Sequence, residues 1–491
     1  MEKCCYELEQ VKMTFLDKEI LNIERLAVHQ LDRIGIVGGN GQGKSTLLRL
    51  IAGRIQPSAG RIKRYVDHSY FEQMEAPHPD EHVATDGEWL GRLGVPVHHE
   101  RLSGGEQTRL KLAGMFANYH EVLLFDEPTT HLDQDGITFL LNELRYYYGA
   151  LLIISHDRSV LDELVTTIWE VNDGAVKVYS GNYSDYKAQQ QLERDQQNQA
   201  HEQYVKEKKR LMHAAQDKMK KAEKITQAGS VSKRETKAKA NRMFETKSKG
   251  TSQKAAHRAA KAIEQRIEQL HEVKAVQEHR PIHFRQSKAL ELHNKFPIMA
   301  DRLTLQVQNN VLLDQVSFQI PLKQKVAITG SNGCGKSTLL RHILDAKSGI
   351  ILSPKAQIGY FDQMSYRFRG DETVLEFLMK RSEYNEAELR SCMHAMQFTG
   401  TDLNKEVRSL SGGEAIRLQL CRLFLGQYNI LLLDEPTNFL DTRALEALEQ
   451  FVAGYEGTIL YVSHDQTFIR NTADMKLHIE HRKITMSSCV L

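Results

Sequence analysis

Residues 38–45 read Gly38-Gly39-Asn40-Gly41-Gln42-Gly43-Lys44-Ser45, and this stretch decides the fold. It fits the pattern GxxxxGK[ST] and lies between an apolar run, Ile34 to Val37, and a predicted helix, Thr46 to Ala52. Glycines at this spacing let successive backbone N–H groups curl around a phosphate, and the start of the helix adds positive potential. A strand, a loop and a helix in this order predict a phosphate-binding site in an α/β domain.

The pattern recurs in the second half of the chain as Gly330-Ser331-Asn332-Gly333-Cys334-Gly335-Lys336-Ser337. It again follows an apolar strand, Val326 to Ile328, and opens a helix, Thr338 to Leu344. The chain therefore carries an internal repeat with two predicted nucleotide sites, each of which includes the loop and the first residue of its helix.

The charged and hydroxyl side chains of the two loops have predicted roles. Lys44 and Lys336 are expected to neutralise the β- and γ-phosphate oxygens of ATP. Ser45 and Ser337 are expected to bind Mg²⁺.

Further motifs follow each loop in the same order. They are the runs Tyr70-Phe71-Glu72-Gln73 and Tyr360-Phe361-Asp362-Gln363, LSGGE at 102–106 and 410–414, apolar strands that end in Asp126-Glu127 and Asp434-Glu435, the pairs Leu132-Asp133 and Leu440-Asp441, and Ser155-His156-Asp157 and Ser463-His464-Asp465. As a set they resemble the nucleotide-binding cassette of the ABC superfamily in both halves of the chain. The resemblance implies an ATP hydrolase with ATP and Mg²⁺ as its cofactors.

Four of these side chains are candidate metal ligands. Asp126 and Asp434 end a buried strand next to a phosphate loop, where a carboxylate can hold Mg²⁺ through its water shell. Gln73 and Gln363 are expected to supply an amide oxygen to the same ion.

The candidate catalytic residues are two acids and two histidines. Glu127 and Glu435 directly follow the metal-binding aspartates, where they can polarise the attacking water. His156 and His464 can hydrogen-bond the γ-phosphate or that water. The separation from the second acid to the histidine is the same in both copies, which supports one shared arrangement.

A second anion site is predicted at the start of another helix in each half, because the LSGGE motif presents backbone N–H groups there. By resemblance, the two cassettes close head to tail within one monomer, so that ATP on Lys44 meets Ser411 and ATP on Lys336 meets Ser103. The residues assigned to these sites are Ser103, Gly104, Gly105 and Glu106, and Ser411, Gly412, Gly413 and Glu414.

The adenine-stacking position differs between the halves. Phe15 precedes the first loop at the distance where an aromatic side chain usually stacks on the base, whereas Val307 takes that position before the second loop. Base stacking is therefore expected to be weaker at the second site.

A basic segment separates the halves. Residues 187–288 contain 25 Lys and Arg against 12 Asp and Glu, a net charge of about +13, whereas the whole chain has +2. Helix-forming residues predict a helix from about Ser184 to Thr226, a tip at about 227–253, and a second helix from about Lys254 to Glu278. The predicted domains are a first cassette at 1–183 with a short helical subdomain, a helical-hairpin linker at 184–290, and a second cassette at 291–491. The alternative is a solvated spacer, although a flexible spacer would be rich in Gly and Ser.

Two cassettes on one chain, a basic hairpin and no apolar run long enough to span a membrane resemble the ABC-F family of ribosome-acting ATPases. The resemblance implies that the hairpin enters the exit-tRNA site of the ribosome and points toward the peptidyl-transferase centre. The implied partners are large-subunit rRNA and peptidyl-site tRNA, and a positive arm suits an RNA-lined cavity. The protein is expected to be cytoplasmic, because its first residues lack the apolar core of a signal peptide.

Motif spacing indicates a branch of this family. Only 30 residues separate Gln73 from Ser103, against 48 between Gln363 and Ser411, so the first cassette lacks room for a large inserted subdomain. This trimmed cassette resembles the antibiotic-resistance branch, which implies a ribosomal protection protein that dislodges large-subunit antibiotics directly or by shifting rRNA and tRNA.

The linker tip is expected to contact rRNA and the drug site. Phe244 is the first candidate, because aromatic side chains stack on unpaired bases. The alternative is that Met243 and Phe244 only hold the two arms together. The full set of predicted tip residues is Lys237, Lys239, Arg242, Met243, Phe244, Lys247 and Lys249.

Two other functions for the ATPase remain open. One is a housekeeping translation factor that acts on stalled ribosomes, and the other is a transport ATPase subunit that pairs with separate membrane proteins. The short first cassette argues against both. Duplex DNA or another RNA is a further alternative partner.

Overall fold

Two six-stranded sheets, one in each half of the chain, carry the phosphate loops. The strand order is β5-β6-β7-β3-β8-β9 in the first cassette and β14-β15-β16-β12-β17-β18 in the second, and in each the first five strands are parallel. A three-stranded antiparallel sheet accompanies each, in the order β2-β1-β4 and β11-β10-β13.

The structure is a computed structural model that describes residues 3–16, 18–72, 104–130, 132, 134–228, 255, 258–259, 261–263, 265–273, 284, 290–308, 310–362 and 368–489. The chain divides into two compact units. One comprises Met1–Tyr186 with Arg280–Leu491 and contains both cassettes, and the other is Lys187–His279.

The first cassette contains β1 to β9 and the helices between them. Their bounds are β1 Cys4–Phe15, β2 Lys18–His29, β3 Arg33–Val37, α1 Lys44–Ile51, β4 Ala59–Arg64, β5 His68–Phe71, α2 Gly104–Phe116, β6 Val122–Asp126, α3 Gln134–Arg145, β7 Ala150–Ile154, α4 Arg158–Leu164, β8 Thr167–Asn172 and β9 Ala175–Ser180. Helix α5 follows at Tyr183–Ala228.

The second cassette repeats this order, and two short helices precede its LSGGE motif. The bounds are β10 Ile298–Val307, β11 Asn310–Ile320, β12 Lys325–Gly330, α6 Lys336–Leu344, β13 Ile350–Leu352, β14 Ile358–Phe361, α7 Val374–Met379, α8 Glu386–Ala395, α9 Gly412–Phe424, β15 Ile430–Asp434, α10 Thr442–Gly454, β16 Thr458–Val462, α11 Gln466–Thr472, β17 Met475–Glu480 and β18 Lys483–Ser488.

The central strands are mostly apolar because both faces of each sheet are covered. Every residue of β6 is buried. Leu123 and Phe125 pack into the core on one face, whereas Val122 and Leu124 pack into the core on the other. This parallel arrangement brings the end of β6 beside the end of β7, with Asp126 opposite Ile154. The loops after β3, β6 and β7 therefore meet at one edge of the sheet, where ligands bind in folds of this kind.

The second unit contains most of the long helix α5. This helix has 46 residues and begins and ends within two residues of the prediction. In the unit's own packing, Leu211 and Ala215 are buried, and the His201 ring nitrogen Nδ1 lies 2.6 Å from the Val273 carbonyl oxygen.

The second predicted linker helix ends earlier than the sequence suggested. The described residues between 255 and 268 are helical, but 269–273 are not, so the prediction of a helix is wrong at 269–273, and 274–278 lie outside the described residues. The Leu270 N–H bonds to the Ile267 carbonyl in a tight final turn. No Gly or Pro marks this point, and the good helix formers that follow disguise it.

Among the described residues, no helix is both long and apolar enough to cross a membrane.

Candidate active site

The two phosphate loops leave their strands along nearly identical paths. A Cβ at Gly38 would lie 2.3 Å from the Val171 carbonyl oxygen, and a Cβ at Gly330 would lie 2.6 Å from the Ile479 carbonyl oxygen. Only glycine allows the loop to pass so close to the neighbouring strand. This close approach requires glycine at the point where each loop leaves its strand.

Both loop lysines are buried and point back into their own loops. Lys44 Nζ donates to the carbonyl oxygens of Gly38 at 2.8 Å and Gly39 at 3.1 Å. Lys336 Nζ bonds to Gly330 and Ser331 in the same way, at 2.9 and 3.0 Å. Each ammonium group is therefore held by carbonyl oxygens of the loop that a phosphate would enter.

A serine and an aspartate meet in each site. The Ser45 hydroxyl donates to Asp126 Oδ1 at 3.1 Å, and the Ser337 hydroxyl donates to Asp434 Oδ1 at 2.8 Å. Burial raises the pKa of both aspartates, while the serine hydrogen bond opposes the rise. These adjacent oxygen donors fit Mg²⁺, which prefers oxygen ligands.

The predicted catalytic acid and histidine are in contact in both halves. His156 Nε2 lies 3.2 Å from Glu127 Oε1, and His464 Nε2 lies 3.2 Å from Glu435 Oε1. Both glutamates have left-handed backbone conformations, with φ of 54° and 50°. A backbone hydrogen bond from each glutamate N–H to the last residue of the adjacent strand fixes this turn.

Burial dominates the proton affinities of these groups. It raises the pKa of Glu127 and of Glu435 to about 7, although the nearby loop lysine acts in the opposite direction. Burial also lowers the pKa of His156 to about 3, with Lys44 adding to the effect. His156 is therefore neutral at pH 7, and the glutamates hold protons more tightly than ordinary carboxyl groups do.

The two cassettes face each other head to tail at the first loop. The Asn40 backbone N–H donates to Asp441 Oδ2 at 2.8 Å, and its side-chain amide donates to the Phe439 carbonyl at 3.1 Å. A cavity of about 1660 Å³ is lined by Lys44 and Glu127 together with Ser411 and Gly413 of the other cassette. The same cavity reaches Lys336, Glu435, His464 and, from the first cassette, Glu106.

Ser411, which lines the cavity opposite the first phosphate loop, lies at the N-terminus of helix α9. Ser411 caps α9 in a capping box with Glu414, whose carboxylate accepts from the Ser411 N–H at 2.8 Å. Glu414 also bonds to Lys405 at 2.8 Å, so it orders the helix start. In the other half, Gly104 and Gly105 begin α2.

The side chains at the two base-stacking positions both line the cavity. Phe15 is 49% exposed and Val307 is 44% exposed, so each is accessible to a base. The remaining predicted loop residues lie in or directly beside the two phosphate loops, namely Gln42, Gly43, Thr46, Ser331, Asn332, Gly333, Cys334, Gly335 and Thr338.

Several predicted site residues lie outside the described part of the chain. They are Gln73, Gln363, Ser103 and the linker-tip residues Lys237, Lys239, Arg242, Met243, Phe244, Lys247 and Lys249.

The structure also brings into the site residues to which the sequence analysis assigned no role. Asp441 contacts Asn40, and Gln397 Nε2 donates to Asp441 Oδ1 at 2.6 Å. Arg109 and Arg417 line the cavity as well. The repeated Leu-Asp pair and the arginine that follows each LSGGE motif could have indicated Asp441, Arg109 and Arg417, whereas Gln397 has no such signal.

Comparisons with known proteins agree with this geometry. The family model described as "ABC transporter" matches residues 21–88, 80–130 and 313–438. The chain is 40% identical over 487 residues to "Erythromycin resistance ATP-binding protein MsrA" of Staphylococcus epidermidis, with 99% of each chain covered. It is 31% identical to "Ribosome protection protein VmlR" of Bacillus subtilis (strain 168), covering 97% of this chain and 87% of that protein.

Solved structures share the fold. The chain matches "RNase-L Inhibitor" with a TM-score of 0.63 at 19% identity, covering 97% of this chain and 88% of that one. At this identity the likeness concerns the fold alone.

Proposed function

This chain belongs to the ABC-F family of ATPases, in its antibiotic-resistance branch, and on that premise we propose that it protects ribosomes from antibiotics of the large subunit. The observation that carries the proposal is its 40% identity, over 99% of both chains, to a protein named for erythromycin resistance. Erythromycin is therefore the first drug to test.

The chain is an ATP hydrolase, and its own residues suggest how each site works. Lys44 and Lys336 bind the phosphates from inside their loops, where the ammonium group already accompanies backbone N–H donors. Glu127 and Glu435 orient the attacking water. A neutral His156 donates or accepts one hydrogen bond beside Glu127 without adding a competing charge.

Mg²⁺ completes the proposed chemistry. When bound, it would neutralise charge on the phosphates. Ser45 with Asp126, and Ser337 with Asp434, would hold it, and Gln73 and Gln363 are proposed to join them.

Closure of the cassettes would link hydrolysis to the ribosome. Phosphates bound at Lys44 would also meet the N-terminus of α9 at Ser411, so ATP would hold the two cassettes together. Loss of the γ-phosphate removes that bridge and lets them separate. In the closed form the linker, with its net charge of about +13, would enter the exit-tRNA site, where rRNA phosphates attract it. The tip, about 227–253, would point to the peptidyl-transferase centre.

The test is a variant that binds ATP without hydrolysing it. Glu127→Gln with Glu435→Gln removes both groups that orient water while preserving side-chain size. With ATP and Mg²⁺, this double variant should sediment with 70S ribosomes in sucrose gradients, whereas Lys44→Ala with Lys336→Ala should not. If the glutamine variant stays in the ribosome-free fraction at every ATP concentration, the proposed function is wrong.

A further inference from the structure

Arg158 directly follows the Ser155-His156-Asp157 motif and begins α4. The side chain is only 9% exposed, and its Nη1 lies 2.9 Å from Glu449 Oε1. Glu449 belongs to α10 of the second cassette, so this buried ion pair connects the loop that carries His156 to the other half of the molecule. Within the described part of the chain, Nε and Nη2 of Arg158 have no hydrogen-bond partner, so Glu449 is the main compensation for this buried charge.

Helix α10 reaches the first ATP site at a second point. Its N-cap is Asp441, which accepts from the Ala444 N–H at 2.8 Å and from the Asn40 N–H of the first phosphate loop at 2.8 Å. One helix of the second cassette therefore holds the phosphate loop through Asp441 and the histidine loop through Glu449. Both contacts exist only while the two cassettes are together.

The other ATP site lacks this ion pair. Gln466 occupies the position of Arg158, and it makes an exposed amide contact with Gln134 at 3.1 Å. Leu141 occupies the position of Glu449 in α3, counted from the repeated Leu-Asp pairs. The repeat therefore carries a buried charged contact at one histidine loop and a neutral, exposed contact at the other.

We propose that Arg158 is a positioning residue for ATP hydrolysis at the first site, where its ion pair with Glu449 holds His156 against Glu127 only in the closed molecule. Arg158 does not act on the nucleotide itself. The two sites consequently differ in how strongly hydrolysis depends on closure, and the site of Glu127 is the more dependent one.

The experiment measures each site alone in the full-length protein. Glu435→Gln leaves turnover to the site of Glu127, and Glu127→Gln leaves it to the site of Glu435. Adding Arg158→Gln should lower kcat at least tenfold in the first background, with KM for ATP changed less than about threefold. The loss in the first background should exceed the loss in the second by at least fivefold. Equal losses in the two backgrounds would overturn the proposal, because a general weakening of the interface affects both sites.

Two further variants distinguish positioning from unfolding. Glu449→Gln should reproduce the effect of Arg158→Gln, and the combined variant should be no worse than either, because one interaction is removed in all three cases. The combined variant leaves no unpaired buried charge, so it remains informative if Arg158→Gln alone fails to fold. Exchange of the charges, Arg158→Glu with Glu449→Arg, should recover part of the lost kcat.

The matched control is Arg145→Gln. Arg145 pairs with Glu163 inside the first cassette, and its side chain is 47% exposed. Its replacement removes an arginine ion pair that does not cross between the cassettes, so it should change kcat by the same factor in both backgrounds. A site-selective loss with Arg145→Gln would count against the proposal.

Discussion

Asp465, in the histidine loop of the second cassette, lies close enough to Asp157 of the first cassette to be affected by its negative charge. Burial raises the pKa of Asp465 to about 6, and the negative charge of Asp157 adds to the rise. Because the folded protein holds the Asp465 proton more tightly than the unfolded chain does, ionisation destabilises the fold. This loss of folding stability is absent below the ordinary aspartate pKa, and it is complete once the pH has risen through about 6.

Asp465→Asn should therefore stabilise the protein at pH 8 by about 2 kcal/mol, allowing for partial solvent exposure, and by about half as much at pH 5. An asparagine can still accept the Phe468 N–H that caps α11, which Asp465 accepts at 2.8 Å. Urea unfolding at the two pH values measures the difference.

Asp402→Asn is a control that should change the stability at pH 8 in the opposite direction to Asp465→Asn. Hydrogen bonds from Lys405 and Thr399 outweigh burial and lower the pKa of Asp402 to about 2, so its replacement should lose stability at pH 8. A loss of stability with Asp465→Asn at pH 8 would show that the ionised Asp465 carboxylate does not destabilise the folded protein, and the prediction would be wrong.

Helix α10 is the element that joins the first ATP site to the start of the linker. Besides Asp441 and Glu449, it carries Arg443, which lies 3.5 Å from Glu170 of the first cassette. Glu170 in turn accepts from the Tyr179 hydroxyl at 3.3 Å. The ring of Tyr179 packs edge-on against Tyr186, in the first turn of α5, with 5.0 Å between centroids.

Tyr183, the first residue of α5, connects α5 directly to helix α10. It is buried, and its hydroxyl hydrogen-bonds Thr442 at the start of α10. A helix of 46 residues is about 69 Å long. A small rotation of its first turn therefore becomes a large displacement at its far end.

Removing the two hydroxyl groups should separate ATP hydrolysis from protection. Tyr183→Phe with Tyr186→Phe keeps both rings in the core but removes the contacts of Tyr183 with Thr442 and of Tyr186 with Glu170. We expect ATPase activity within about threefold of the wild type and at least a fourfold fall in the minimum inhibitory concentration of erythromycin. Tyr119→Phe with Tyr146→Phe, at 59% and 81% exposed side chains, is the control and should keep both activities. Equal resistance in the two double variants would mean that these hydroxyls do not transmit closure.

At the scale of the whole molecule, the proposed function predicts a drug profile. Cells that express the protein should tolerate erythromycin better than cells with an empty vector, and the Glu127→Gln, Glu435→Gln variant should give no protection because it cannot be released. Phe244→Ala should reduce protection while leaving ATPase activity within about twofold. A panel of large-subunit antibiotics measures this. Unchanged susceptibility to all of them would favour the housekeeping translation factor.

The parts of the molecule that were predictable from sequence depend on local patterns. The phosphate loops, the buried strands that end at Asp126 and Asp434, and the start of α5 each follow from a few consecutive residues. The contact of Asn40 with the second cassette was expected only through resemblance to a family. Arg158 and Glu449 are 291 positions apart, and neither belongs to a local pattern, so their pairing required the folded chain. The end of the second linker helix was missed for the opposite reason, because local helix propensity continues beyond the residue where the helix ends.

The buried Arg158–Glu449 pair has a consequence for how such a protein could arise and be rebuilt. Two copies of the first cassette would set each Arg158 against a Leu141, and two copies of the second would leave each Glu449 facing a Gln466. Leaving one member of a buried ion pair without its partner destabilises the protein by about 3–5 kcal/mol. A symmetric homodimer would contain two such unpaired charges. The buried pair therefore favours pairing of the first cassette with the second over pairing of either cassette with a copy of itself, and the covalent link between the halves keeps the two members of the pair in one molecule.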